Sequence, residues 1–359
     1  MDIVDIFTHQ SKFFRICFHD RRKYSLWIGF IFIVIWFEYI YNFILIIRSF
    51  DPKLECQFLE LGCGLLPTYR INWNVTIKLF RSVGFLLFNY WYFSDNRWVF
   101  LANEQFLKLP FGVPAKRMQS WIKKCVRVTI LYLILFNLII VRILQTDSLF
   151  ENLIEHAVVT ITVYIACYFY GVAYLLNRIC VELCQKFIAN FRADFEQRRI
   201  KPSLIKAFWS LYSMISLIKV YLIQFYLVMV GFSFIMMMQH YSIIYMTRFA
   251  TDKPIYIAIQ LSMISKIFAI IYYTAFYGRI NDEAINLAKL IYQYLNIDDV
   301  YFRNKSILFQ KHKLQNIFNC LDHSFGLCFM RNSINLTNVI QLISLFFSLS
   351  TMVIWALNS

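Results

Sequence analysis

Residues 157–196 read AVVTITVYIACYFYGVAYLLNRICVELCQKFIANFRADFE, and the pattern changes midway. The first half, 157–177, carries no charged residue and matches the roughly 20 apolar residues that cross a bilayer core of about 30 Å. The second half is amphipathic. Cys184, Phe187, Ile188, Phe191 and Phe195 recur at helical spacing, opposite Glu182, Lys186, Arg192 and Asp194. The economical reading is a membrane helix that runs past the inner leaflet and packs there against others like it. Peripheral helices lying on lipid are the alternative.

The rest of the chain fits a polytopic membrane protein. It is 59% hydrophobic and 16% charged, whereas soluble domains carry about a quarter charged residues. Its mean hydropathy is +0.54. Seven stretches are long and apolar enough to span as helices: 25–47, 75–96, 126–146, 157–177, 218–243, 255–277 and 336–357. Met1 to Tyr24 is mixed and basic, so the first run is expected to act as a signal anchor rather than a cleaved leader.

Orientation follows from the basic residues. If the first span enters from the cytoplasm, 27 Lys and Arg fall on the inner side and 6 on the outer. That asymmetry predicts a cytoplasmic N-terminus and an extracellular C-terminus. The net charge of +15 then reflects inner loops facing anionic lipid, and nucleic acid is not an expected partner. Asn74, in the sequon Asn74-Val75-Thr76, is the glycosylation candidate at the end of the first outer loop. Cys56 and Cys63 share that loop and either bridge or remain free thiols. Neither a metal site nor a cofactor is indicated by the spacing of the cysteines and six histidines, and no catalytic motif is present, so no enzyme activity is expected.

Further stripes lie in the inner connections. Leu204, Ala207, Phe208, Leu211, Ile215 and Ile218 lead into the fifth span, and Pro202 separates them from the stripe before. Ala284, Ile285, Ala288, Ile291, Tyr292 and Leu295 form another, and Leu314, Ile317, Phe318 and Leu321 a fourth. The expected architecture is all-α: seven transmembrane helices extended into a cytoplasmic anchor bundle.

Two ionisable residues fall deep within spans, Glu38 and Lys266. A central charge costs about 2.5–3.5 kcal/mol on insertion scales, so each should face the bundle interior, paired with the other or solvated by a water-filled cavity. Tyr90, Trp91, Tyr164, Tyr168, His240 and Tyr241 lie in aromatic clusters of the spans. They could line an apolar pocket with a few polar tips, or pack against lipid and neighbouring helices.

Seven spans with an inner N-terminus reverse the order of a G-protein-coupled receptor, and no NPxxY motif occurs. G-protein coupling is therefore not expected. The chain resembles the insect gustatory and odorant receptor superfamily, most widely over residues 205–359. The resemblance includes YGRINDEAINLAKLIYQYL at 277–295 and the closing segment FNCLDHSFGLCFMRNSINLTNVIQLISLFFSLSTMVIWALNS at 318–359. Gustatory receptors carry Thr-Tyr, five apolar residues and Gln-Phe in the last helix. Here Thr351 matches, Met352 replaces Tyr, 353–357 supply the apolar run, and Asn358 and Ser359 replace Gln and Phe. These departures mark a divergent gustatory receptor-like member.

The resemblance implies a ligand-gated cation channel of chemoreceptor type in the plasma membrane, a homo- or heterotetramer with related subunits. It divides the chain into a cytoplasmic N-tail (1–24), six transmembrane helices with an outer-half pocket for a small-molecule ligand (25–277), cytoplasmic anchor helices (278–335) and a pore helix (336–359). Thr351, Trp355 and Asn358 share one helical face, and Trp355, Asn358 and Ser359 correspond to the outer gate and its neighbours. The alternative is a non-conducting receptor-like or scaffold protein on the same fold.

Overall fold

The computed structural model describes residues 97–143, 149–197, 201–246, 253–296 and 305–323, with a short hairpin in 328–333 and isolated helical positions elsewhere. The fold is helical. In chain order come α1 (Arg97–Leu107), α2 (Ala115–Ile143), α3 (Leu149–Glu196), α4 (Pro202–Met246), α5 (Lys253–Leu295) and α6 (Lys305–His323). Strands β1 (Cys328–Phe329) and β2 (Asn332–Ser333) then form an antiparallel hairpin pairing Cys328 with Ser333 and Phe329 with Asn332. This hairpin departs from the all-helical expectation for 278–335.

The long helices run through the boundaries at which the apolar spans end. α3, α4 and α5 have 48, 45 and 43 residues. At 1.5 Å per residue, each is about 65–72 Å long, roughly twice the hydrocarbon thickness. Pro202 opens α4, where its missing N–H costs no helical bond. The start of α4 is tied to the end of α3 by Asp194: its carboxylate accepts the Lys201 backbone N–H at 3.0 Å and lies 3.1 Å from the Lys201 Nζ.

The described core is a seam between these helices. On α4, Leu204, Phe208, Leu211, Ile215, Ile218, Leu222 and Phe225 are buried at alternating steps of four and three. On α5 the buried series is Tyr277, Ile280, Ala284, Leu287, Ile291 and Tyr294. That spacing averages 3.5 residues, the period that keeps one face against a neighbouring helix over many turns. α3 contributes Leu176, Cys180, Leu183, Phe187 and Phe191, α6 adds Leu314, Ile317 and Leu321, and α1 packs on α4. Ile3, fully buried, donates its backbone N–H to the Asn103 Oδ1 on α1 at 2.9 Å.

Three of the four inner stripes lie where the sequence pattern set them. The α5 stripe is corrected: Ile285 and Tyr292 are 52% and 58% exposed, while Leu287 and Tyr294 face the core. A 3.6-residue reading begun at Ala284 drifts off a seam that keeps a 3.5-residue repeat.

The exposed faces change character along two helices. On α2 the exposed positions are Lys116, Arg117, Lys123, Lys124 and Arg127, and then abruptly Val128, Ile130, Leu131 and Ile134. On α5 Ile264, Phe268, Tyr272 and Ala275 are exposed, and then Arg279, Asp282, Asn286, Lys289 and Gln293, with Ile285 and Tyr292 exposed among them. Among the described residues one stretch, Pro202–Leu227, is by length and composition able to cross a bilayer, with nearly half of its most apolar window buried. It begins 16 residues before the fifth span expected from the sequence, 218–243, and its first part carries the buried seam residues Leu204, Phe208, Leu211 and Ile215.

Candidate functional site

Four of the five buried polar residues in the described core, Asn177, Asp194, Thr274 and Asn281, lie on α3 and α5. Asn177, the last residue of the apolar run 157–177 on α3, is fully buried and donates its Nδ2 to the Phe276 carbonyl at 2.9 Å. Its Oδ1 is buried with no hydrogen-bond partner among the described residues. One residue on, Arg178 leaves the apolar segment with its guanidinium 5.5 Å from the centroids of both Tyr174 and Phe276. Those two rings stack at 4.9 Å with their planes 4° apart. A cation over an aromatic face at this range contributes about 0.5–2 kcal/mol, and Arg178 Nε also donates to the Tyr174 hydroxyl at 3.3 Å.

Two residues earlier on α5, the Thr274 hydroxyl bonds back to the Ile270 carbonyl at 2.8 Å and lies 3.0 Å from the Tyr226 hydroxyl of α4. Three helices are thus joined at one level. Tyr277 sits beside them, fully buried, its ring edge-on to Tyr226 at 5.9 Å, and its hydroxyl has no hydrogen-bond partner among the described residues. A buried donor left unmade costs about 1–3 kcal/mol. Tyr277→Phe is therefore expected to leave thermal stability in detergent unchanged or to raise it by about 1 kcal/mol. A fall of that size would show that an internal water satisfies the hydroxyl.

Beyond this level the contacts between α3 and α5 become polar and reach the surface. Gln185 Nε2 donates to the Glu283 carboxylate at 2.7 Å. The sequence offset of this pair, 98, nearly equals the 99 of the Asn177–Phe276 pair, so the two helices run parallel and in register. A groove of about 510 Å³ follows the same line, floored by Ile188, Ala189 and Leu290 and walled by Arg192, Asn286, Lys289 and Gln293. On another face of α3, Glu182 accepts from Arg117 and lies 3.8 Å from Lys186, whose Nζ donates to the Gly112 carbonyl. These bonds clamp the α1–α2 connection to α3.

Two cysteines line the seam on α3 just past the aromatic level. Burial pushes the Cys180 thiol up to about 12, and the Cys184 thiol well above its usual value, with Cys180 and Glu283 adding to the effect. Both stay protonated at neutral pH, and their role is packing.

Few of the sequence-derived candidates can be placed. Tyr164 and Tyr168 lie on α3, His240 and Tyr241 on α4, and Lys266 on α5, but their side chains lie outside the described residues. Outside them altogether fall Glu38, Tyr90, Trp91, Asn74, Cys56, Cys63, Thr351, Trp355, Asn358 and Ser359. Conversely, Asn177, Arg178, Thr274 and Tyr277 were not singled out from the sequence. The available signal was a polar or charged residue at the end of an apolar run, but it reads equally as an ordinary helix exit until the partners on the neighbouring helix are known. No protein-family model matches the chain, and no curated protein matches it.

Proposed function

We propose that the chain is a subunit of a ligand-gated cation channel of chemoreceptor type, multi-pass in the plasma membrane. Its seven spans run from a cytoplasmic N-terminus to an outer C-terminus. The observation that carries the membrane part of this reading is the change along the exposed faces. On α2 it falls between Arg127 and Val128, and on α5 between Tyr272 and Arg279, against sequence-derived span limits of 126 and 277. Charged residues in water on one side and bare apolar residues on the other are what an inner membrane boundary requires.

The packed seam continues past that boundary to Phe191 on α3 and Tyr294 on α5, which supports a cytoplasmic anchor bundle. Ile285 and Tyr292 stay exposed beyond the reach of lipid on this placement, as side chains covered by neighbouring subunits of a tetramer would be in an isolated chain. The channel assignment itself rests on the gustatory receptor resemblance of the last helix, with the pore along Thr351, Trp355 and Asn358. A small molecule bound among the aromatic residues of the outer half would bias the pore between closed and open states.

The topology is tested by glycosylation mapping. Asn304, in Asn304-Lys305-Ser306, is expected to remain unmodified in a secretory-pathway host, since it precedes α6 on the inner side. Glycan on Asn304 overturns the orientation. The channel reading is tested by cation current under a panel of small-molecule stimuli. The bulky Trp355 at the gate position favours a second reading, a receptor-like or scaffold protein that does not conduct. Normal surface delivery with no current from wild type or from a variant with a widened gate would establish that second reading.

A further inference from the structure

We propose that the groove between α3 and α5 binds a soluble phosphate monoester carried on a hydroxylated ring, with Arg192 and Lys289 holding the phosphate. Its volume of about 510 Å³ lies in the range of small-molecule sites, roughly 300–1,000 Å³. Two cations, one from each helix, line it, and the ion pairs among the described residues involve neither. The amide side chains of Asn286 and Gln293 lie on the same walls.

The donor set selects the ligand. A single carboxylate carries one charge and would leave one cation uncompensated. A phosphate monoester carries close to two charges and three acceptor oxygens, enough for the Arg fork, the Lys point charge and an amide together. At the other end of the groove Glu283 is an acceptor already steadied by Gln185. A ring hydroxyl donating to it would fix the orientation, and the apolar floor of Ile188, Ala189 and Leu290 gives the ring a surface to lie on. From Gln185 to Arg192 the groove rises seven residues, about 10 Å, which suits a small molecule rather than a peptide helix.

The site also lies in water, a placement that rests on the topology proposed above. Gln185 and Arg192 stand eight and fifteen residues beyond the end of the fourth span, about 12 and 22 Å along the helix. The headgroup layer on each side is only about 5–8 Å deep. A lipid headgroup anchored in that layer does not reach the cationic end.

The test uses the full chain, purified into nanodiscs of neutral lipid, with AMP as the probe and calorimetric titration as the readout. AMP is expected to bind and adenosine not to. Arg192→Gln and Lys289→Gln are each expected to weaken AMP by about tenfold or more, while Lys206→Gln, an exposed cation on α4 away from the groove, leaves it unchanged. Glu283→Ala is expected to narrow the gap between AMP and methyl phosphate. Absence of AMP binding overturns the proposal, as does binding indifferent to both groove cations. So does occupancy only by an acidic peptide or only in nanodiscs containing phosphatidylinositol 4-phosphate. None of these readouts requires conduction, so the site stands or falls separately from the channel assignment.

Discussion

Cells expressing the Trp355→Ala chain are expected to carry a cation leak several times that of wild type at equal surface expression. At the i, i+4, i+7 spacing of Thr351, Trp355 and Asn358 a helix would bring the three to one face, the face that would line the pore in the proposed tetramer. Four indoles converging on an axis form a wide apolar constriction, and such a constriction blocks ions by shedding water even where it is not sterically closed. Truncation to Ala removes most of that apolar ring and admits a continuous water column. The leak should persist without stimulus, because the barrier removed is the closed state's own. Trp355→Phe should leave the leak near the wild-type level, which separates loss of bulk from loss of the indole N–H. A surface-expressed Trp355→Ala chain that stays silent under every stimulus rules out a gate at this position.

The largest effect on stability is expected at Phe208→Ala, about 3–5 kcal/mol. Phe208 is fully buried on the α4 seam. Its ring lies 5.8 Å from Phe187 of α3 and 6.1 Å from Tyr212 on its own helix. Removing it opens a void between two helices whose backbones are held apart by neighbouring large residues, so the site cannot collapse to fill the space. The adjacent Trp209, stacked edge-on against Phe208 at 5.4 Å but 42% exposed, is the internal control. Trp209→Ala should cost distinctly less despite deleting a larger side chain. Thermal unfolding in detergent, read as loss of a monodisperse peak, distinguishes the two. Equal losses would contradict the assignment of the buried face.

Those contrasts show what was readable from sequence. The α4 stripe from Leu204 to Ile218 was legible because large apolar residues there alternate cleanly with Lys206, Ser210 and Ser213. On α5 the pattern is ambiguous. Ile285 and Tyr292 are as apolar as Leu287 and Tyr294, so only a neighbour's surface decides which pair turns inward. The α3–α5 polar junction was hidden for a different reason. Asn177 and Phe276 lie 99 residues apart, and no local periodicity reports a pairing at that distance. Helix continuity was inferred in outline from the stripes that follow the spans, but the sequence did not reveal that the α3 and α5 seams keep a common register across the junction. The short β1–β2 hairpin had no legible signal. Its strands are two residues each, too short to leave an alternating pattern.

The parallel register of α3 and α5 also sets how motion would travel. The Asn177–Phe276 and Gln185–Glu283 bonds pin the two rods at two heights, so neither can slide along the other without breaking both. Rotation as a pair is the remaining soft coordinate. For a stiff pair about 65 Å long, a tilt of about 3° about one end sweeps the other through roughly 3 Å, an amplitude comparable to the helix shifts that repack subunit interfaces. The pair therefore behaves as a lever with gearing set by its pivot: the nearer the pivot lies to the aromatic level around Arg178, the more evenly displacement is shared between its two arms.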